Sequence, residues 1–171
     1  MAEQIEKLAQ FVADTQWEDI PRPVQQHANL VLLDTIGVIL AGSVQPEVRR
    51  LHEGLSASAG TGATVFTRGW PITDAGRAAL LNGIAARSIE LGELHDEVSA
   101  QAAVQIVPGL LAVAESSRCT GREILTALVV AYDFAIRVGA ATTRRPLAHP
   151  NGQASLLGAI AAAARARGLN A

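Results

Sequence analysis

Apolar residues recur along most of this chain at the spacing of amphipathic helices, in segments separated by proline, glycine and small polar residues. The first pattern predicts a helix over residues 3–15. The most apolar segment, from Pro23 to Leu40, contains the run LVLLDTIGVILAG, which leaves no polar side, so this helix is expected to be buried among others. Further helices are predicted over residues 46–56, 73–89, 104–115, 120–138 and 152–167.

Several of these helices have recognisable ends. Thr120 with Glu123 three residues later forms a capping box, and Gly139 and Gly42 are expected to stop the helices that precede them. Pro108 is expected in a first helical turn, where its ring is tolerated. The glycine-rich stretch before residue 73 predicts a loop with one short strand at 63–66. No repeat or linker divides the chain, so residues 1–171 are expected to form one all-α domain of six or seven helices.

Composition supports an all-α fold. The chain has 32 alanines, which have the highest helix propensity, and only 4% aromatic residues, which strands favour. A hydrophobic share of 49% with a net charge of −2 excludes intrinsic disorder and argues against nucleic-acid binding. Cys119 is the single cysteine, which excludes a disulfide framework or a cysteine-rich zinc module. Because no unbroken apolar run reaches membrane-spanning length and the first residues are charged, a cytoplasmic protein without membrane association is expected.

One segment, RSIELGELHDEVSAQ at residues 87–101, concentrates groups that can transfer protons. On a helix, Glu90, Glu93 and Glu97 would share one face, and carboxylates held together raise each other's pKa. His95 could then act as the partner acid or base. An exposed acidic helix end is the alternative reading. Carboxylates with one histidine could also hold manganese or magnesium, but the two-histidine spacing that would strengthen a metal site is absent, and no metal is expected.

A second segment, RRPLAHPNGQASLLGA at residues 144–159, predicts an anion site. Pro150 favours an extended backbone at His149, so the imidazole would project from a loop. The helix that begins after Asn151 offers unpaired backbone N–H groups to a carboxylate or phosphate. Arg144 and Arg145 could add charge-assisted hydrogen bonds. The alternative is a loop histidine beside an ordinary helix cap.

Four blocks of the sequence together resemble one protein family. In chain order they are LVLLDTIGVILAGS, AALLNGIAARSIELGELH, GREILTALVVAYDFAIRVG and HPNGQASLLGAIAAAARARGL. They are similar to the MmgE/PrpD family, which includes 2-methylcitrate dehydratase, cis-aconitate decarboxylase and iminodisuccinate epimerase. The resemblance implies the N-terminal part of a large helical domain, with a lid domain farther along the family chain and absent here.

The resemblance also implies roles for individual residues. Arg87, Glu90, Glu93 and His95 match the family's block after the asparagine–glycine pair, and His149 matches the histidine of a His-Pro pair that borders the active site. On this basis the catalytic candidates are Glu90, Glu93, His95 and His149, and the substrate-binding candidates are Arg87, Gln101 and Asn151. Gln101 occupies the place of a further family histidine, and glutamine cannot transfer a proton at neutral pH.

The resemblance implies a function as well. Family members act on di- and tricarboxylic acids by proton abstraction next to a carboxylate, are typically homodimers, and need neither an iron–sulfur cluster nor a nucleotide cofactor. The expected activity is therefore that of a hydro-lyase similar to 2-methylcitrate dehydratase, with the 171-residue chain alone inactive. Gln101 leaves room for an epimerase or isomerase of the same family, and a non-catalytic helical interaction module is the alternative outside enzymes.

Overall fold

The fold is that of a computed structural model, and the residues described are 2–55, 62–98, 100–142 and 153–171. Within these residues the chain forms seven α-helices, one 3-10 turn at Trp17–Asp19 and one two-stranded sheet. The helices are α1 (Ala2–Asp14), α2 (Arg22–Gly42), α3 (Pro46–Leu55), α4 (Ala75–Arg87), α5 (Ala103–Ser117), α6 (Gly121–Ala141) and α7 (Gln153–Ala166). The strands are β1 (Ala63–Thr64) and β2 (Ile72–Thr73). The predicted all-α class is confirmed.

Helix α5 forms the centre of the molecule. Nine of its fifteen residues are buried, and it packs against α4 on one side and against α6 and α7 on the other. The largest hydrophobic cluster includes Ile106 and Leu110 of α5, Leu128 of α6 and Ala162 of α7. Burying apolar surface is the main favourable contribution to folding, so the stability of the bundle depends chiefly on this helix.

Small residues let the helices approach closely at two crossings. A Cβ atom at Gly42 would overlap the backbone carbonyl of Ala85, where α2 meets α4. A Cβ atom at Gly158 would lie 2.9 Å from the Ala131 carbonyl oxygen, where α7 meets α6. The glycine and alanine content of the chain therefore determines how tightly the bundle packs.

The small sheet is fixed to α4 by a buried amide. Strands β1 and β2 are antiparallel, with Ala63 opposite Thr73. The Asn82 side chain accepts a hydrogen bond from the Phe66 backbone N–H at 2.8 Å and donates one to the Thr64 carbonyl at 3.0 Å. Because the residue is 1% exposed, both hydrogen bonds offset the cost of burying its polar side chain.

Four sequence-based expectations were wrong in detail. Helix α6 continues through Gly139 to Ala141, because its last turn packs against α7 and the bundle outweighs the low helix propensity of one glycine. Pro108 is the sixth residue of α5 and is buried, not in a first turn. Residues 72–73 pair as a second strand, so α4 begins at Ala75 behind the cap of Asp74.

The fourth concerns α2, which is not buried on all sides within the described residues. Leu30 and Leu33 are 62% and 68% exposed on one face. By length and composition alone, α2 and α6 are long and apolar enough to cross a membrane, a test that core helices of soluble proteins also pass. The hydropathy averaged over a helical window therefore marks α2 and α6 as apolar enough to span a membrane, although no unbroken apolar run in the sequence reaches that length.

The two glycines of α2 are expected to respond in opposite directions to alanine. Gly42→Ala should destabilise the fold by about 1–3 kcal/mol, because the added methyl group meets the backbone of α4. The control is Gly37→Ala, whose Cβ would have no atom within 4 Å and which should stabilise the helix by about 0.5–1 kcal/mol. Denaturant unfolding monitored by circular dichroism measures both. Equal effects of the two substitutions would contradict the packing described at Gly42.

Candidate active site

The acidic segment after α4 is a loop between α4 and α5, not a helix. Glu90 has a positive φ of 52°, and a pair of backbone hydrogen bonds of 2.8 and 3.3 Å joins His95 and Ala100. The expected shared face of Glu90, Glu93 and Glu97 therefore does not form. The loop separates its acidic side chains, and each has its own surroundings.

Three of the predicted residues come together at the end of α4. One guanidinium nitrogen of Arg87 lies 2.9 Å from a carboxylate oxygen of Glu90, and another donates to the side-chain oxygen of Gln101. The side-chain nitrogen of Gln101 in turn donates to the Gly92 carbonyl at 3.3 Å. We call Arg87, Glu90 and Gln101 the arginine cluster. It presents a cation held in a defined orientation at a partly exposed position.

Glu93 has a different environment from Glu90. One carboxylate oxygen accepts a hydrogen bond of 2.5 Å from the Ala103 backbone N–H, at the first residue of α5. The other accepts a hydrogen bond of 2.7 Å from the Tyr132 hydroxyl of α6. A negative charge at a helix N-terminus is stabilising, and Ala102 at the cap position makes no side-chain hydrogen bond. Glu93 therefore joins the loop to both helices.

Tyr132 is the site residue that sequence reasoning missed. Burial, and then the hydrogen bond to Glu93 and its negative charge, raise the pKa of Tyr132 well above its ordinary value. The hydroxyl therefore remains a donor at physiological pH. The only sequence signal is that this is the single tyrosine of the chain, within a helix otherwise rich in aliphatic residues.

His95 lies beside Glu93 on the wall of an open cavity of about 750 Å³. Helices α1, α2 and α6 form the other walls, and Tyr132 and His27 also line it. The Nδ1 atom of His95 is buried and has no hydrogen-bond partner among the described residues. The loop thus places Glu93 and His95 together on this cavity.

The arrangement provides two separate chemical functions. The arginine cluster can bind a carboxylate through the Arg87 guanidinium, since an arginine fork matches carboxylate geometry. Glu90 and His95 carry side chains that can each donate or accept a proton, whereas the amide of Gln101 can only position other groups. Among the described residues, no three His, Cys, Asp or Glu side chains lie close enough together to bind a metal ion. His149 and Asn151 lie outside the described residues, so their predicted roles remain predictions.

The titration of Tyr132 tests the contact with Glu93. The pKa of Tyr132 is higher in the folded state than its unfolded value of about 10. The neutral hydroxyl therefore contributes stability that is fully present below a pH of about 10 and is lost as the pH rises through the pKa of the folded state. We expect no tyrosinate absorbance near the ordinary pKa while the protein is folded. Glu93→Gln should lower the pKa, since it removes the neighbouring charge and leaves the burial. Tyrosinate formation in the folded wild type at the ordinary pKa would contradict the contact.

Comparison with known proteins gives two findings. A cis-aconitate decarboxylase-like protein of Aspergillus oryzae is 30% identical over 142 residues, which cover 79% of this chain and 30% of the relative. The chain therefore spans about a third of the length of that curated relative. A family model described as the MmgE/PrpD N-terminal domain matches residues 6–171. This chain belongs to the MmgE/PrpD family.

Proposed function

We propose that this chain is the N-terminal part of the helical domain of a lyase that acts on a di- or tricarboxylic acid. The reaction is proton abstraction next to a carboxylate followed by elimination, as in a 2-methylcitrate dehydratase. In this proposal the protein continues into a lid domain, forms a homodimer in the cytoplasm and uses no cofactor. Family membership supports a lyase-type role, and the relative from Aspergillus oryzae is decarboxylase-like by name.

The arginine cluster is the observation that supports this proposal most directly. Arg87 is oriented by Glu90 and Gln101, so its guanidinium is positioned before a substrate arrives. Preorganised cations cost little rearrangement when a carboxylate binds or when negative charge develops in the transition state. Glu90, at hydrogen-bond distance from Arg87, is the acid–base candidate nearest to the bound carboxylate.

A second activity within the family is favoured by Gln101. Its side chain is engaged with Arg87 and the Gly92 carbonyl, which suits a positioning role and not proton transfer. An epimerase or isomerase with a rearranged acid–base pair would need His149, Glu90 or His95 to move the proton. Such an enzyme would return a stereoisomer of the substrate and form no unsaturated product.

The two activities can be distinguished with one panel of substrates. The continuous reading frame that contains this chain is expressed, and citrate-like and aconitate-like acids are added in turn. The panel includes chiral members, since only an acid with a stereocentre can be epimerised. The lyase proposal predicts a change in the absorbance of an unsaturated acid, and the epimerase alternative predicts a change in the optical rotation of a chiral acid without it. A folded protein that changes neither signal with any acid would contradict both.

Arg87→Ala should lower kcat/KM for the acid identified in this way by about 10- to 100-fold, because a charge-assisted contact contributes about 1.5–3 kcal/mol. The matched control is Arg50→Ala, an exposed arginine of α3 away from the loop. It should leave kcat/KM unchanged within about twofold, as surface substitutions do. Equal losses in the two variants would rule out carboxylate binding by Arg87.

His149→Ala should lower kcat far more than it lowers the melting temperature. Removing a general acid or base reduces turnover by about 100-fold or more. The measurement is kcat and thermal unfolding of the same full-length preparation. An unchanged kcat would exclude His149 from proton transfer and would leave Glu90 and His95 as candidates.

A further inference from the structure

A second cleft, of about 490 Å³, lies between α3, the start of α4 and the two-stranded sheet. It is distinct from the arginine cluster, since Arg77 in its wall and Arg87 are ten residues apart, about 15 Å along the axis of α4. A volume of this size is within the range of small-molecule sites. None of the residues assigned to catalysis or substrate binding above lines this cleft.

The cleft is positively charged in a chain whose net charge is −2. Arg49, Arg68 and Arg77 line it with one acid, Glu53, and Asp74 outside the lining lies beside Arg77, so the positive charge comes mainly from Arg49 and Arg68. His52 also lines the cleft, and burial lowers the pKa of its imidazole. The positive charge of the cleft near neutral pH therefore comes from arginine. Positive charge concentrated in a cleft raises the local concentration of anions.

The three arginines differ in how they are held. Arg77 donates to the Leu55 carbonyl at 3.2 Å and lies 3.8 Å from a carboxylate oxygen of Asp74, which fixes it in the wall. Arg49 on α3 and Arg68 in the turn of the sheet are exposed, and the side chain of neither makes a hydrogen bond or ion pair with any described residue. They stand on two different elements that the cleft brings together.

One buried hydroxyl in the wall has no hydrogen-bond partner among the described residues. Thr73 of β2 is 6% exposed, and its side-chain oxygen makes no hydrogen bond within the described part of the chain. A buried hydroxyl without a hydrogen-bond partner is destabilising, so such groups are uncommon in folded proteins. Val65 and Leu81 provide apolar surface in the same cleft.

We propose that this cleft binds a small oxyanion with two or more negative charges, such as a phosphate compound or a polycarboxylate, at a site separate from the arginine cluster. Arg49 and Arg68 bind the anion from two sides, as guanidinium forks suit both phosphate and carboxylate oxygens. Thr73 lines the same wall, and its buried hydroxyl would contact the anion only after the side chain rotates toward the cleft. The site is independent of the proposed lyase reaction, so either can fail without the other.

The test is calorimetric titration of the full chain with pyrophosphate and, separately, with citrate. The double variant Arg49→Ala/Arg68→Ala should weaken binding by about 10-fold or more, because the loss of a single charge-assisted contact of about 1.4 kcal/mol is already tenfold. The matched control is Arg22→Ala/Arg50→Ala, which changes the net charge equally. Arg50 follows Arg49 on α3 but does not line the cleft. The control should change the affinity by less than about twofold.

The outcomes separate the alternatives. The proposal predicts that pyrophosphate or citrate binds the wild type, and that only the variant Arg49→Ala/Arg68→Ala weakens this binding. Tighter binding of pyrophosphate would indicate a phosphate compound as the ligand, and tighter binding of citrate a polycarboxylate. Equal losses of affinity in the two double variants would mean attraction by net charge, and binding of neither anion would mean that there is no site. Both results would overturn the proposal.

Thr73→Val keeps the shape of the side chain, and an unchanged affinity in this variant would remove Thr73 from the site. All four substituted arginines are exposed, so circular dichroism is expected to show the fold retained.

Discussion

The carboxylate of Glu93 joins the three parts of the molecule that meet at the candidate site. The N-terminus of α5 is buried in the core, and the side chain of Ala102 at its cap position has no acceptor for the first backbone N–H groups of the helix. Glu93 accepts the Ala103 N–H from outside the helix and the Tyr132 hydroxyl from α6. The position of the loop, and with it of Gln101 and His95, depends on this contact, which places Gln101 beside Arg87 at the end of α4.

The central position of α5 explains why one carboxylate can have this effect. The helix is packed on two sides, so its first turn is a fixed reference to which the loop is attached. Close approach of helices at Gly42 and Gly158 keeps the bundle compact around it. Asn82 within α4 provides a similar attachment, because its side chain holds the small sheet, and Ile72 and Thr73 of that sheet line the arginine-lined cleft.

Helix positions could be predicted from the sequence because each helix has an apolar period and most have clear ends, such as the capping box at Thr120. The internal structure of the loop between α4 and α5 could not be predicted from the sequence. An acidic run has no period of its own, and the backbone turn at Glu90 and the His95–Ala100 pairing depend on contacts with α5 and α6. Glu93 and Tyr132 are 39 residues apart, so their hydrogen bond is a product of tertiary packing. The meeting of Arg87 with Glu90 and Gln101 depends on the same packing, although the resemblance to the family had already named all three.

The exchange rate of the Ala103 backbone amide with deuterated solvent tests the role of Glu93 most directly. In the wild type this amide should be protected, and in Glu93→Ala it should exchange as fast as an unpaired helix N-terminus, while the amide of Leu110 in the same helix stays protected. Loss of protection at Ala103 and across the loop, with α5 intact, is the result that this account predicts. An Ala103 amide that exchanges equally slowly in both proteins would show that the loop is held by other contacts.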